Sequence, residues 1–257
     1  MLANLDLGIL FPAFLAGILV IATHVPLGQR VLARGIVFID LAIAQVAGLG
    51  VIIADGLGWE EPGWRVQLSA VVAALLGAAL LTWTERRWPE VQEALIGVLF
   101  VVAASVELLL LAHNPHGGEH LKDLLVGQIL WVTPSELLPV AVLYAAILAI
   151  WFLFYSGGSG TSRWGRVGFY VLFALAVTQS VQLVGIYLVF ATLILPALAV
   201  RQLPERFRLP IGYLSALAGY VAGLMASAAF DLPTGPVIVV TLLLAFIATA
   251  ILRRAPS

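Results

Sequence analysis

The sequence predicts an all-α, polytopic membrane bundle of eight to nine transmembrane helices, and three observations carry that prediction. Of 257 residues, 62% are hydrophobic and only 11% are charged, against roughly a quarter charged in soluble domains. Mean hydropathy is +1.07, and the apolar residues fall into runs of about bilayer length. The basic residues between those runs gather on one side.

Charged and turn residues place the runs at 7–27, 35–54, 66–83, 95–112, 137–154, 167–182, 183–200, 210–230 and 236–252. The first closes on Pro26 and Gly28. It lacks a basic leading region and a small-residue cleavage site, so it reads as a retained span and not a signal peptide. The second lies between Arg34 and Asp55, the third between Arg65 and Glu85-Arg86-Arg87. The fourth follows Glu93 and ends at the polar stretch from His113; the fifth ends at a Gly/Ser run from Tyr155. The sixth and seventh share one run, divided only by Thr178, Gln179, Ser180, Gln182 and Gly185. The last two are separated by Asp231-Leu-Pro-Thr-Gly-Pro236.

With nine crossings, one side carries Arg30, Arg34, Arg86, Arg87, Arg163, Arg166, Arg201, Arg206, Arg208, Arg253 and Arg254, and the other only Arg65 and Lys122. Eleven against two places the C-terminus in the cytoplasm and the N-terminus outside. So many helices leave no room for a soluble part, and residues 1–257 read as a single transmembrane domain. The absence of cysteine excludes disulfides and thiolate chemistry. A net charge of -1 gives no basic surface for nucleic acid.

Within the second run stand one carboxylate, Asp40, and one amide, Gln45. A charge at mid-membrane costs about 2.5 to 3.5 kcal/mol on insertion scales, so such an acid calls for a partner, a water-filled cavity or a passing cation. Gly219 and Gly223 form a GxxxG pair, and Gly48 and Gly50 flank the polar stripe of the second run; packing within one subunit is the favoured reading. Trp59, Trp64, Trp83, Trp88, Trp131 and Trp164 lie near run ends, as headgroup-level anchors do.

Arg34-Gly-Ile-Val-Phe-Ile-Asp-Leu-Ala-Ile-Ala-Gln-Val-Ala-Gly48, Glu93-Ala-Leu-Ile-Gly97, Leu125-Val-Gly-Gln-Ile-Leu-Trp131, the stretch 185–196 and Asp231-Leu-Pro-Thr-Gly-Pro236 occur in that order. In this the chain resembles the membrane permease subunits of ABC-type zinc and manganese importers. The resemblance implies a homodimer in a bacterial inner membrane, two cytoplasmic ATPase subunits, and an extracytoplasmic solute-binding protein that delivers the ion. It implies zinc or manganese as the transported ion, no cofactor bound by this chain, and no enzymatic role. Typical members carry a histidine one turn after the acid of the second span. Here that position is Ala44, beside Gln45, which points to a branch without it. Typical members also carry an acidic, alanine-rich cytoplasmic helix after the fifth span, where this chain has Tyr155-Ser-Gly-Gly-Ser-Gly-Thr-Ser-Arg-Trp-Gly-Arg166. A Gly/Ser run of this kind behaves as flexible coil, leaving 201–208 and 85–93 to meet an ATPase.

Three of the four histidines, with Glu119 and Asp123, fall within residues 113–123. His116, Glu119 and His120 spell H-x-x-E-H, a zinc-hydrolase pattern when helical. Pro115, Gly117 and Gly118 disfavour a helix through its first half. Three readings stand: a solvated loop leading into a short helix near Leu121, an outer vestibule in which His116, Glu119, His120 and Asp123 attract a metal, and a hydrolase site. The segment 121–132 is too short to span and is expected to lie at the surface or re-enter.

Glu107, near the outer end of the fourth run, either snorkels or lines a path. Gln179, Ser180 and Gln182 either line it or bond across helices. His24 reads as a hydrogen-bonded residue at a helix end, and Asp231 as a cap of the last helix. Asp40, Gln45, Gln179 and Glu107 are the expected translocation path. The expected function is ATP-driven import of a divalent metal by alternating access, zinc first, with manganese or iron next. A non-metal substrate and an intramembrane zinc hydrolase are the alternatives.

Overall fold

The computed structural model describes residues 7–59, 63–112, 114, 117–154 and 163–252. Among these, ten α-helices follow one another with no β-strand: α1 Leu7–Arg34, α2 Ile39–Gly56, α3 Trp64–Arg87, α4 Gln92–Leu111, α5 Gly117–Val126, α6 Pro134–Phe154, α7 Arg163–Val184, α8 Ile186–Val200, α9 Glu205–Phe230 and α10 Thr234–Leu252. Eight are long and apolar enough to cross a membrane. The exceptions are the short α5 and α8. With 15 residues, α8 rises about 22 Å, short of a hydrocarbon layer of about 30 Å. The expected seventh crossing is therefore a helix too short to span alone.

Side-chain orientation inverts that of a soluble protein. On α4, Leu109 is 72% exposed while Glu107, two residues earlier, is 1% exposed. Leucines face outward and the carboxylate inward, as lipid demands. Trp64, Trp83, Trp88 and Trp131 are exposed near helix ends, as headgroup anchors are, whereas Trp151 is buried.

The helices group into two compact units. One holds α1, residues 125–145, α8, α9 and α10. Here α1 runs two turns past its expected end at residue 27, straight through Pro26. A helical proline has no N–H for the carbonyl four residues earlier. That carbonyl belongs to Ala22, and the Tyr213 hydroxyl of α9 donates to it at 3.0 Å. His24 therefore lies inside α1 and not at its end; its Nδ1 sits 3.0 Å from both Val20 O and Thr23 Oγ1.

Helix contacts in this unit rest on missing side chains. A Cβ on Gly28 would overlap the Leu193 carbonyl of α8, and one on Gly17 would lie 2.6 Å from Tyr220 Cδ1 of α9. The buried Tyr220 hydroxyl is paired with Thr192 Oγ1 at 2.7 Å. Gly219 and Gly223 meet Leu242, Thr241 and Ile238 of α10, and Thr241 Oγ1 donates to Gly219 O at 2.7 Å. The GxxxG pair thus packs within the chain.

A second close junction joins three distant segments. Gly185, φ 80°, separates α7 from α8, and Gly127, φ 72°, follows α5. A Cβ on either would overlap the backbone of the other's segment, and a Cβ on Gly235 at the start of α10 would overlap the Val126 carbonyl. Backbone lies on backbone at a site where two residues must also be left-handed.

In the second unit, α2 packs against α3 and α4. Gly50 lies against Ser69 and Ala70 of α3, and Ser69 Oγ donates to Gly50 O at 2.6 Å. Gln92 ties α3 to the start of α4, accepting from Thr84 Oγ1 at 2.9 Å and donating to Leu81 O at 3.0 Å. Trp151 of α6 meets Phe169 of α7 at a centroid distance of 6.3 Å.

Gly185→Ala adds a methyl where backbone already stands and puts a side chain at positive φ, which alone costs about 1–3 kcal/mol. A lower melting temperature in detergent and a poor monodisperse yield are the expected outcome, checked by thermal unfolding and size exclusion.

Candidate functional site

Asp40 occupies the first turn of α2 and is 1% exposed; neither carboxylate oxygen meets a hydrogen-bond partner among the described residues. The helix N-terminus favours its negative charge. Five residues on, Gln45 is equally buried and its Oε1 is likewise unpartnered. Buried polar groups are nearly always hydrogen-bonded, so three such oxygens on one short helix mark a place prepared for something polar.

The start of α2 is held from a neighbouring helix. No side chain of its own N-cap residue, Phe38, bonds back. Instead Glu93, in the first turn of α4, accepts from the Phe38 N–H at 3.2 Å through Oε1. This carboxylate does the work of a cap across 55 residues of chain, and so sets the direction in which α2 starts and where Asp40 stands.

Farther along, α4 contributes Glu107. Its Oε1 is buried without a hydrogen-bond partner, at 2.7 Å from where a Cβ on Gly48 would lie. Glu107 therefore points at α2 and does not snorkel. Gln179 is half-buried on α7. Its neighbours Thr178 and Ser180 donate to Ala174 O and Ala176 O of their own helix. The structure places Asp40, Gln45 and Glu107 on the paired helices α2 and α4.

The polar outer segment differs from expectation. A helix does form at Gly117, through both glycines, because a bare Cα there lets α5 close on the Leu111 carbonyl of α4, 2.6 Å from where a Cβ would stand. Glu119, His120 and Asp123 lie exposed on α5. His113, His116 and the Gly/Ser run at 155–162 lie outside the described residues. Among the described residues, no three His, Asp or Glu side chains form a group that could hold a metal. Asp231 is the left-handed C-cap of α9, φ 54°, and not a cap of α10.

Two contacts at the candidate site are not read from the sequence: the Glu93 cap and the seat that Gly48 makes for Glu107. The signal for the second was present, since Gly48 sits on the polar stripe of the second run. No sequence signal links Glu93 to Phe38.

Beyond the helix pair that carries these contacts, the profile of the ABC 3 transport family matches nearly the whole chain, residues 6–157 and 162–253. The chain belongs to the ABC 3 transport family. This ABC 3 chain is similar to an uncharacterized membrane protein of Synechocystis, 27% identical over 94% of this chain and 90% of that protein. It is also similar to the high-affinity zinc uptake system membrane protein ZnuB of Haemophilus influenzae, 23% identical over 90% of this chain and 93% of that one. Its fold resembles PsaBC from Streptococcus pneumoniae, solved in complex with Fab, with a TM-score of 0.77, 21% identity and coverage of 95% and 91% of the two chains. As an ABC 3 transport family member the chain is a multi-pass membrane permease and not an enzyme.

Glu93→Ala removes the acceptor at the start of α2. The expected cost is about 1 kcal/mol, as for a lost N-cap, with faster hydrogen exchange at the first α2 amides; Glu93→Gln, which keeps an acceptor, should retain most protection.

Proposed function

We propose that this chain imports a divalent transition metal across a bacterial inner membrane, zinc first, with manganese or iron as alternatives. The observation that carries this reading is Asp40, a carboxylate buried in a membrane helix with both oxygens unpartnered, in a chain of a transport family. The ZnuB likeness supports zinc. Carboxylate and amide oxygens suit passing Zn²⁺ or Mn²⁺. The path comprises Asp40, Gln45, Gln179 and Glu107, and the whole chain, 1–257, acts as one permease domain. His116, Glu119, His120 and Asp123 serve as an outer vestibule where a solute-binding protein releases the ion. Two copies work as a homodimer with two cytoplasmic ATPase subunits, which perform the hydrolysis; no cofactor belongs to this chain. The C-terminus is cytoplasmic, in keeping with the arginines at 201–208 and 253–254; an N-terminus outside requires α8, too short to span alone, to complete its crossing together with the turn at Gly185. Closure of the ATPases biases which side of the path is open, a shift between two populated states.

A buried carboxylate needed only for packing would tolerate its amide. Asp40→Asn should abolish Zn²⁺ and Mn²⁺ uptake into proteoliposomes holding permease and ATPase, with assembly unchanged; uptake at the wild-type rate removes Asp40 from the path. Co-purification tests the coupling. The neighbouring ATPase should be retained by this chain, and retention should rise when a longer helical segment replaces residues 155–163; failure of both withdraws ATP-driven import.

A further inference from the structure

Glu107 is a carboxylate that the helix around it does not require. The outer face of α4 is leucine, with Leu108, Leu109 and Leu110 all exposed, so a leucine or alanine at 107 would satisfy both helix propensity and packing. Burial of an unpartnered polar group costs free energy. A cross-helix hydrogen bond would offset that cost, but Glu107 Oε1 meets no donor among the described residues. What it meets is the bare Cα of Gly48, where any side chain would bring a Cβ to 2.7 Å. The glycine makes room for the oxygen.

The spacing on α2 then decides how many ions are involved. Gln45 precedes Gly48 by three residues, about one turn and roughly 4.5 Å along the axis, on nearly the same face. Its buried Oε1 is also unpartnered. Asp40 precedes Gly48 by eight residues, roughly 12 Å along the axis. One zinc ion bridging two carboxylates holds their oxygens within about 4.4 Å, twice a Zn–O distance of about 2.2 Å. An aspartate side chain is too short to close that gap, so Asp40 and Glu107 do not share an ion.

We propose that Glu107 ligates the transported divalent cation directly, as a second carboxylate station two helical turns from Asp40, seated by Gly48 and supplemented by the Gln45 carbonyl oxygen. This rests on the import reading above. It adds to it that the ion passes between two separate oxygen sites along one helix pair. With oxygen donors only, the second station holds its ion briefly and discriminates weakly among Zn²⁺, Mn²⁺ and Fe²⁺.

Two substitutions test it without emptying the interior. Glu107→Gln keeps shape and removes charge; Gly48→Ala meets only the far end of the Glu107 side chain at under 3 Å, so it displaces the carboxylate and not the backbone. In proteoliposomes of permease with its ATPase, each variant should lower Zn²⁺ and Mn²⁺ uptake at limiting ion at least tenfold, with unfolding temperature within a few degrees of wild type. The double variant should be no worse than the singles, because both remove one station. Glu107→Gln uptake within twofold of wild type overturns the station while leaving the import reading intact, as does a defect in Gly48→Ala alone. If the wild type moves neither ion, import falls and the station is judged by equilibrium binding of Mn²⁺ and Zn²⁺ to the purified permease. There, wild-type affinity and stoichiometry in Glu107→Gln overturn it, and loss of one bound ion per chain supports it.

Discussion

Lipid tails attract an apolar side chain as well as another helix does, so the hydrophobic effect does not press membrane helices together. Whatever holds this chain must come from close contact and satisfied polar groups. Gly28 under the Leu193 carbonyl, and Gly127, Gly185 and Gly235 where three segments cross, supply the contact. Tyr213 supplies the carbonyl partner that Pro26 cannot. Each device would be of minor importance in a soluble core. Here they are the means by which α1, α8, α9 and α10 find one arrangement.

The same lack of water makes every inward polar oxygen expensive. Most are settled locally, as Thr178 and Ser180 show by bonding their own helix. Asp40, Gln45 and Glu107 are not. The distinction is one of hydrogen-bond geometry and not of burial, since all of these residues are buried alike.

The helical class and most of the spans were legible because hydropathy and bilayer thickness share a length scale. Asp40 was legible because an isolated acid is conspicuous among apolar residues. The boundaries failed where tertiary contacts overrode local propensity. Pro26 and the Gly117-Gly118 pair read as helix breakers, yet α1 continues because a tyrosine 187 residues later accepts the task, and α5 begins early because a glycine fits under α4. Spans six and seven were expected to divide between 182 and 183, two residues before the actual break at Gly185, but the pattern could not show that α8 is too short to cross. The Glu93 contact is invisible in sequence, since nothing in residues 38 or 93 names the other.

That contact has a mechanical side. Glu93 binds the start of α2 from the start of α4, and some 14 residues later Glu107 rests against Gly48 of the same helix. Two helices pinned at points about 21 Å apart along α4 cannot slide past each other without breaking one of the pins. They behave as a stiff strut. Any rearrangement that keeps both contacts also keeps the spacing of Asp40 and Glu107 along the helix pair.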